Sequence, residues 1–358
     1  TLLKNNGLLP LNRAQIKRLA VIGPNADSVP VLVGNYNGTP ARPVTILDGI
    51  KQIAGPGIEV TYTEGCPIAL RRDGSNAPTP EMTAAALAAA RSADVVIFVG
   101  GISARFEGEE MSRANAYEGF DGGDRTRIEL PQVQTDLLQA LAATGKPVVL
   151  VNCSGSAMAM PWEVAHLPAI LQAWYPGEQG GKAVAEVLFG EVNPAGRLPV
   201  TFYESTTDLP PFEDYAMSNR TYRYYNGRPE FAFGHGLSYT KFDYRNLHLN
   251  RTRLAAGDTL EVSFTLKNSG GRDGDEVAQV YFRHAHPSAT EPKLALCGFT
   301  RIHLQAGQAA RVTVDVPVER FREWDETQKQ YVVAPGDYEL LVGAASDDLR
   351  LRAPFTIQ

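Results

Sequence analysis

The stretch Gly100–Pro131, GGISARFEGEEMSRANAYEGFDGGDRTRIELP, gathers the side chains best suited to acid–base chemistry. Glu107, Glu109 and Glu110 stand close together beside Arg105 and Phe106, and Asp124 and Arg125 follow on the far side. A carboxyl group next to an aromatic ring, in a loop that closes over its ligand, is desolvated and holds its proton to higher pH, as a general acid must. The stretch follows the apolar run DVVIFV and is long for a plain connection, and a long loop at the carboxyl end of a parallel strand is where α/β folds place their sites. Spacing alone favours a blander reading, a solvated acidic loop whose carboxylates pair with Arg105, Arg113 or Arg125.

Other chemistries find less support. No GxGxxG follows a strand, no HExxH occurs, and GEQGGK (177–182) has a proline where a phosphate loop needs its first glycine. GLSYT (236–240) resembles a nucleophile elbow but ends in threonine and follows no strand of an α/β region. His284 and His286 alternate and so share a strand face, yet a third ligand at useful spacing is missing, and no metal or other cofactor is expected. Cys66, Cys153 and Cys297 are odd in number and far apart, which gives neither a disulfide framework nor a metal clip.

The elements that must position these residues are legible in the hydrophobic pattern. Strands are expected at Leu19–Gly23, Ile58–Thr63, Asp94–Gly101, Pro147–Ser154 and Ala169–Trp174, and helices at Ile46–Ala54, Thr79–Ser92, Leu130–Thr144 and Gly180–Phe189. Thr79, Pro80 and Glu81 supply an N-cap, a first helical residue and a first-turn acid. Near-continuous apolar strands separated by helices imply an α/β three-layer sandwich with a mostly parallel sheet. From Leu247 the pattern alternates, as in an antiparallel sandwich of about seven short strands. The expected division is 1–205 for the α/β domain, 206–245 for an aromatic, proline-rich connecting segment laid over a neighbouring surface, and 246–358 for the all-β sandwich. Trp174 and Tyr175 are expected to pack at a strand end.

Composition narrows the function. The chain has 358 residues, 44% hydrophobic and 21% charged, enough for two cores. Its 34 basic and 40 acidic residues give a net charge of −6, so nucleic acid is not an expected partner. No apolar run has membrane-spanning length, so no membrane is expected. The chain starts at Thr1 rather than Met, which suggests a processed or truncated product.

Several motifs spread in order along the chain resemble glycoside hydrolase family 3, the exo-acting β-glucosidases and β-xylosidases. They are LLKNNGLLPL (2–11), VIGPNAD (21–27), GNYNGTP (34–40), FEGEEM with GFDGGDRT, WYPGEQGG (174–181), NPAGRLPVTFY (193–203), FGHGLSYT (233–240) and PGDYELLVGAAS. The resemblance implies the last two of three parts: an α/β sandwich and a fibronectin type III-like domain, preceded in the family by a β/α barrel that carries an aspartate nucleophile. Leu2–Leu11 then lies where the family's linker leaves the barrel. It further implies Glu107 as the acid/base, with Glu109 and Glu110 as alternatives. Arg105 and Phe106 would contact the sugar, and Asp124 and Arg125 would order the loop by an ion pair. The implied partners are a β-linked oligosaccharide or glycoside and a barrel in the same or a companion chain. The reading allows a homodimer and an extracellular or periplasmic location. A non-catalytic carbohydrate- or partner-binding module is the alternative.

Overall fold

The structure is a computed structural model that describes residues 1–108, 111, 116–288 and 291–358. Two compact units divide the chain, the first made of 1–192 with 202–208 and the second of 193–201 with 209–358.

In chain order the first unit contains β1 (Leu2–Asn5), β2 (Arg18–Ile22), α1 (Ile46–Ala54), β3 (Glu59–Thr63), α2 (Pro80–Ser92) and β4 (Val95–Gly101). A two-strand hairpin follows, β5 (Phe120–Asp121) and β6 (Asp124–Arg125). Then come α3 (Gln132–Ala142), β7 (Val148–Cys153), α4 (Pro161–His166), β8 (Ala169–Gln172) and α5 (Gly180–Phe189). The sheet runs β1-β8-β7-β4-β2-β3, with every pairing parallel except β1 against β8. β4, β7 and β8 are buried along their whole length, as strands covered on both faces must be. α1 packs with α5, and α2 with α3, giving the α/β three-layer sandwich with a mostly parallel sheet.

Local chemistry sets the helix ends. The Thr79 hydroxyl accepts from the Met82 N–H at 3.3 Å, Pro80 opens α2, and Thr45 caps α1 by accepting from Asp48 N–H at 3.1 Å. Leu2–Asn5 differs from the expected linker. Leu2 and Leu3 are buried, and the segment adds an antiparallel edge strand to β8, an arrangement four residues cannot announce by periodicity.

The second unit is an all-β, fibronectin type III-like sandwich. One sheet runs Arg253–Leu254, Asp348–Ile357, Gly336–Ala345, Gly274–His284, Ala295–Leu304; the other runs Ala309–Pro317, Thr259–Asn268, Phe242–Leu249. Phe264, Phe282, Phe321 and Tyr338 fill the space between them. The first strand starts at Phe242, inside the expected connecting segment, because Phe242 and Tyr244 alternate into this core. That segment is not uniformly laid on protein: Tyr222 stacks on Phe233 with ring centroids 4.2 Å apart, but Phe212 and Tyr215 are almost fully exposed. His284 packs on the Tyr338 ring, with Nε2 3.2 Å from Glu323. Among the described residues no group of three or more His, Cys, Asp or Glu could hold a metal, and no helix is long and apolar enough to cross a membrane.

One buried acid carries a testable consequence. Glu163 on α4 is 1% exposed, and burial pushes its carboxyl above the usual range although Thr135 Oγ1 donates to it at 2.7 Å. A raised folded-state value means that the folded chain holds this proton more tightly than the unfolded one. The stability it contributes is fully present below the unfolded-state value and is lost as pH rises through the folded-state value. Glu163→Gln keeps the acceptor and removes the charge. It should raise the thermal midpoint at pH 8 relative to the parent chain, and the difference should vanish toward pH 4.

Candidate active site

β4 and β7 are parallel neighbours with Gly101 opposite Cys153, so the segments that leave their carboxyl ends begin at one edge of the sheet. The strand order reverses between β2 and β4, where an open α/β sheet leaves a crevice for ligands. Buried amide side chains fix this edge, since polar groups removed from water must find partners. Gln134 accepts from the Gly101 N–H at 2.8 Å and donates to the Gly101 carbonyl at 2.6 Å, while Asn25 donates to the Gly100 carbonyl at 3.0 Å. Asn152 donates to Gln172 at 2.6 Å, Gln172 to Ser154 Oγ at 2.9 Å, and Ser154 Oγ to the Ser156 carbonyl at 2.8 Å.

On that base the chain leaves β4 through a short helical turn, Ala104–Phe106, and presents Glu107. Its Oε1 accepts from Ser156 Oγ at 2.5 Å and its Oε2 from the Tyr175 hydroxyl at 2.5 Å. Asn35, in the loop after β2, donates to the Glu107 carbonyl at 2.6 Å. Three loops, after β2, β7 and β8, therefore hold one residue of a fourth. Gly155 is needed for close approach, because a Cβ there would lie 2.8 Å from Tyr175 Cε2 and 3.1 Å from Glu107 Oε2.

Arg125 stands behind the pair. Its Nη1 donates to Ser156 Oγ at 2.9 Å and to the Ala157 carbonyl at 2.7 Å, and its Nη2 to the Ile128 carbonyl at 2.6 Å. Because Ser156 Oγ accepts a hydrogen bond from Arg125, its own hydrogen is aimed at Glu107, and both carboxylate oxygens face donors. Burial draws the Arg125 guanidinium below its usual range, opposed by the charge of Glu107. Burial, then the hydrogen bond to Glu107 and its charge, push Tyr175 well above the ordinary phenol range, so it remains a donor throughout neutral pH.

The expected ion pair between Asp124 and Arg125 is replaced by this arrangement. The two residues are neighbours in β6, successive side chains on a strand point to opposite faces, and Asp124 is exposed while Arg125 turns inward. The hairpin supports the Glu107 loop by backbone contact instead. Gly123, with φ +96°, backs so closely on Gly108 that a Cβ would sit 1.7 Å from its carbonyl oxygen. Phe106 packs against Tyr117 and Phe120, with centroids 4.8 and 5.2 Å away, and Arg105 is exposed. Glu109, Glu110 and Arg113 lie outside the described residues.

Ser156 and Tyr175 were not singled out as functional from sequence, and Tyr175 does more than pack at a strand end. Trp174 adopts φ +59°, rare for a bulky residue, and meets Phe202 edge-on at 6.1 Å. This turn directly precedes the tyrosine that reaches Glu107. The usable signal was topological, since polar residues immediately after parallel strands share an edge once those strands are neighbours.

Comparison with known proteins agrees with this architecture. Residues 1–239 match the glycosyl hydrolase family 3 C-terminal domain and residues 276–346 a fibronectin type III-like domain. A xylan 1,4-β-xylosidase from Xylanibacter ruminicola is 45% identical over 72% of this chain and 29% of its own length. A β-xylosidase from Formosa agariphila is 37% identical over 98% of this chain and 47% of its own. The solved structure of a β-glucosidase from Erythrobacter marinus superposes with a TM-score of 0.82 at 33% identity, covering 100% of this chain and 49% of that one. The chain thus spans half or less of the length of each of these three proteins.

Arg125→Met should lower the stability of the α/β unit by about 3 kcal/mol, through three lost charge-assisted hydrogen bonds and orphaned acceptors. Asp124→Asn, at an exposed position, should change it by less than about 0.5 kcal/mol. Thermal or urea unfolding of the two variants measures the contrast, and equal losses would restore the Asp124–Arg125 pairing.

Proposed function

Since this chain belongs to glycoside hydrolase family 3, we propose that it provides the acid/base half of a retaining exo-β-glycosidase active site, with Glu107 as the proton carrier. The substrate class is a terminal, non-reducing β-linked xylose or glucose unit. The observation that carries the proposal is the Glu107 carboxylate held between Ser156 and Tyr175 at the ligand edge of the sheet.

A retaining glycosidase uses two carboxyl groups about 5–5.5 Å apart. One attacks the anomeric carbon while the other protonates the departing oxygen. Water then displaces the enzyme from the sugar, and the second group takes the proton of that water. In this reading Glu107 gives up its proton in the first step. The carboxylate left behind faces the Ser156 and Tyr175 hydroxyls, with the Arg125 charge beyond, so its negative charge is met by groups already in place. The same donors hold it in position to receive the water proton. The nucleophile comes from a β/α barrel, in the same or a companion chain, which accords with relatives about twice as long as this one. An extracellular or periplasmic setting is supported by a relative named periplasmic β-glucosidase, 33% identical over 96% of this chain.

The 358-residue chain by itself should leave aryl β-glucosides and β-xylosides intact, and steady turnover by a preparation verified to contain only these residues would refute the division of labour. In the enzyme completed by its barrel, Glu107→Ala should lower kcat/KM for disaccharides by about 10²–10⁴-fold and for activated aryl glycosides far less, since a good leaving group departs without a proton. Glu109→Ala and Glu110→Ala should show smaller losses that do not depend on the leaving group. The opposite ranking moves the role to one of these neighbours.

A further inference from the structure

The second unit holds a cluster of arginines that the hydrolytic reading does not use. A cavity of about 530 Å³ is lined by Arg223, Arg320 and Arg322 together with Glu319 and Tyr331. Arg223 comes from the short helix Thr221–Tyr224, Arg320 from the turn Val318–Phe321, and Arg322 follows that turn. Several other arginines of this unit are paired: Arg197 with Glu276 at 2.7 Å, Arg283 with Glu339 at 2.5 Å, Arg350 with Asp348 at 2.6 Å. Among the described residues, none of the three pocket guanidinium groups has a carboxylate oxygen within 4.0 Å, and the buried Nε of Arg223 has no hydrogen-bond partner. Glu323, which begins the adjacent hairpin, is engaged by His284 at 3.2 Å and also feels the charge of Arg223.

Three convergent cations with a single acidic residue in the lining repel one another, and a buried donor without an acceptor is costly, so an anion in this cavity would relieve both penalties. Its rim adds a second kind of contact. The hairpin Glu323–Asp325/Gln330–Val332 carries Trp324 and Tyr331, 48% and 63% exposed, with ring centroids 5.4 Å apart. The Arg322 guanidinium lies over the Tyr331 ring at 5.2 Å. Partly exposed aromatic rings beside forked N–H donors suit a ligand with an apolar pyranose face and a planar carboxylate, rather than a compact inorganic anion.

We infer that this pocket binds the carboxylate of an acidic sugar, a uronate carried as a side group on a β-linked glycan. The site lies in a different unit from Glu107, so it stands or falls independently of the acid/base assignment. The test measures binding of the full chain, by titration calorimetry and affinity electrophoresis, to four probes. These are a glucuronic acid-substituted xylan, the same polymer after its carboxyls are reduced to alcohols, inorganic phosphate, and polyglutamate. The substituted xylan should bind at least about tenfold more tightly than its reduced form and lose affinity with salt. Arg223→Gln and Arg322→Gln should each remove about tenfold of that preference, while Tyr331→Ala should weaken both polymers alike. Arg320 and Arg322 are exposed, so Arg320→Gln and Arg322→Gln decide the matter even if Arg223→Gln fails to fold. Equal binding of native and reduced xylan, undiminished binding by the arginine variants, or equal binding of polyglutamate or phosphate would overturn the inference.

Discussion

A carboxylate fixed at one point of a sheet edge cannot be held by its own loop alone. Here the Glu107 oxygens are gripped by the hydroxyls of Ser156 and Tyr175, which leave the sheet after β7 and β8, while Asn35 from the loop after β2 holds its carbonyl. The arrangement depends on β8, β7, β4 and β2 lying side by side in that order and running the same way. Parallel strands place all their carboxyl ends at one edge. Residues far apart in sequence thus converge without long supporting loops.

The edge is expensive to build. Asn25, Gln134, Asn152 and Gln172 are fully buried there, tied by hydrogen bonds to one another, to backbone and to Ser154, while the buried Oδ1 atoms of Asn25 and Asn152 have no partner among the described residues. Trp174 is held in a left-handed conformation, and Arg125 keeps its guanidinium in a largely desolvated site. Each of these would be an odd choice in a domain selected for stability alone; Trp174 directly precedes Tyr175, Arg125 donates to Ser156, and Gln172 reaches Ser156 through Ser154.

Much of the frame could be read from the chain. The buried runs at β2, β4, β7 and β8 are too apolar to be anything but interior strands, and Thr79–Pro80–Glu81 marks the start of α2 to the residue. What escaped depended on who sits beside whom. β1 is four residues long, and its partner lies near Ala169. Adjacent opposite charges at Asp124 and Arg125 suggest a pair in sequence, but the strand that contains them sends their side chains to opposite faces. Tyr175 carries no periodic signal that it reaches Glu107, 68 positions earlier. Family motifs drew attention to the loop that holds Glu107, but the contacts that orient its carboxylate come from three-dimensional adjacency.

The most direct test of the acid/base role is the product formed by Glu107→Ala in the barrel-completed enzyme with an activated aryl β-glycoside and added azide. With the base gone, the glycosyl intermediate should accumulate. Azide, which needs no base to attack it, should capture the sugar as the β-glycosyl azide, identifiable by nuclear magnetic resonance. Only free sugar from Glu107→Ala, with the azide adduct arising instead from Glu109→Ala or Glu110→Ala, would contradict the account.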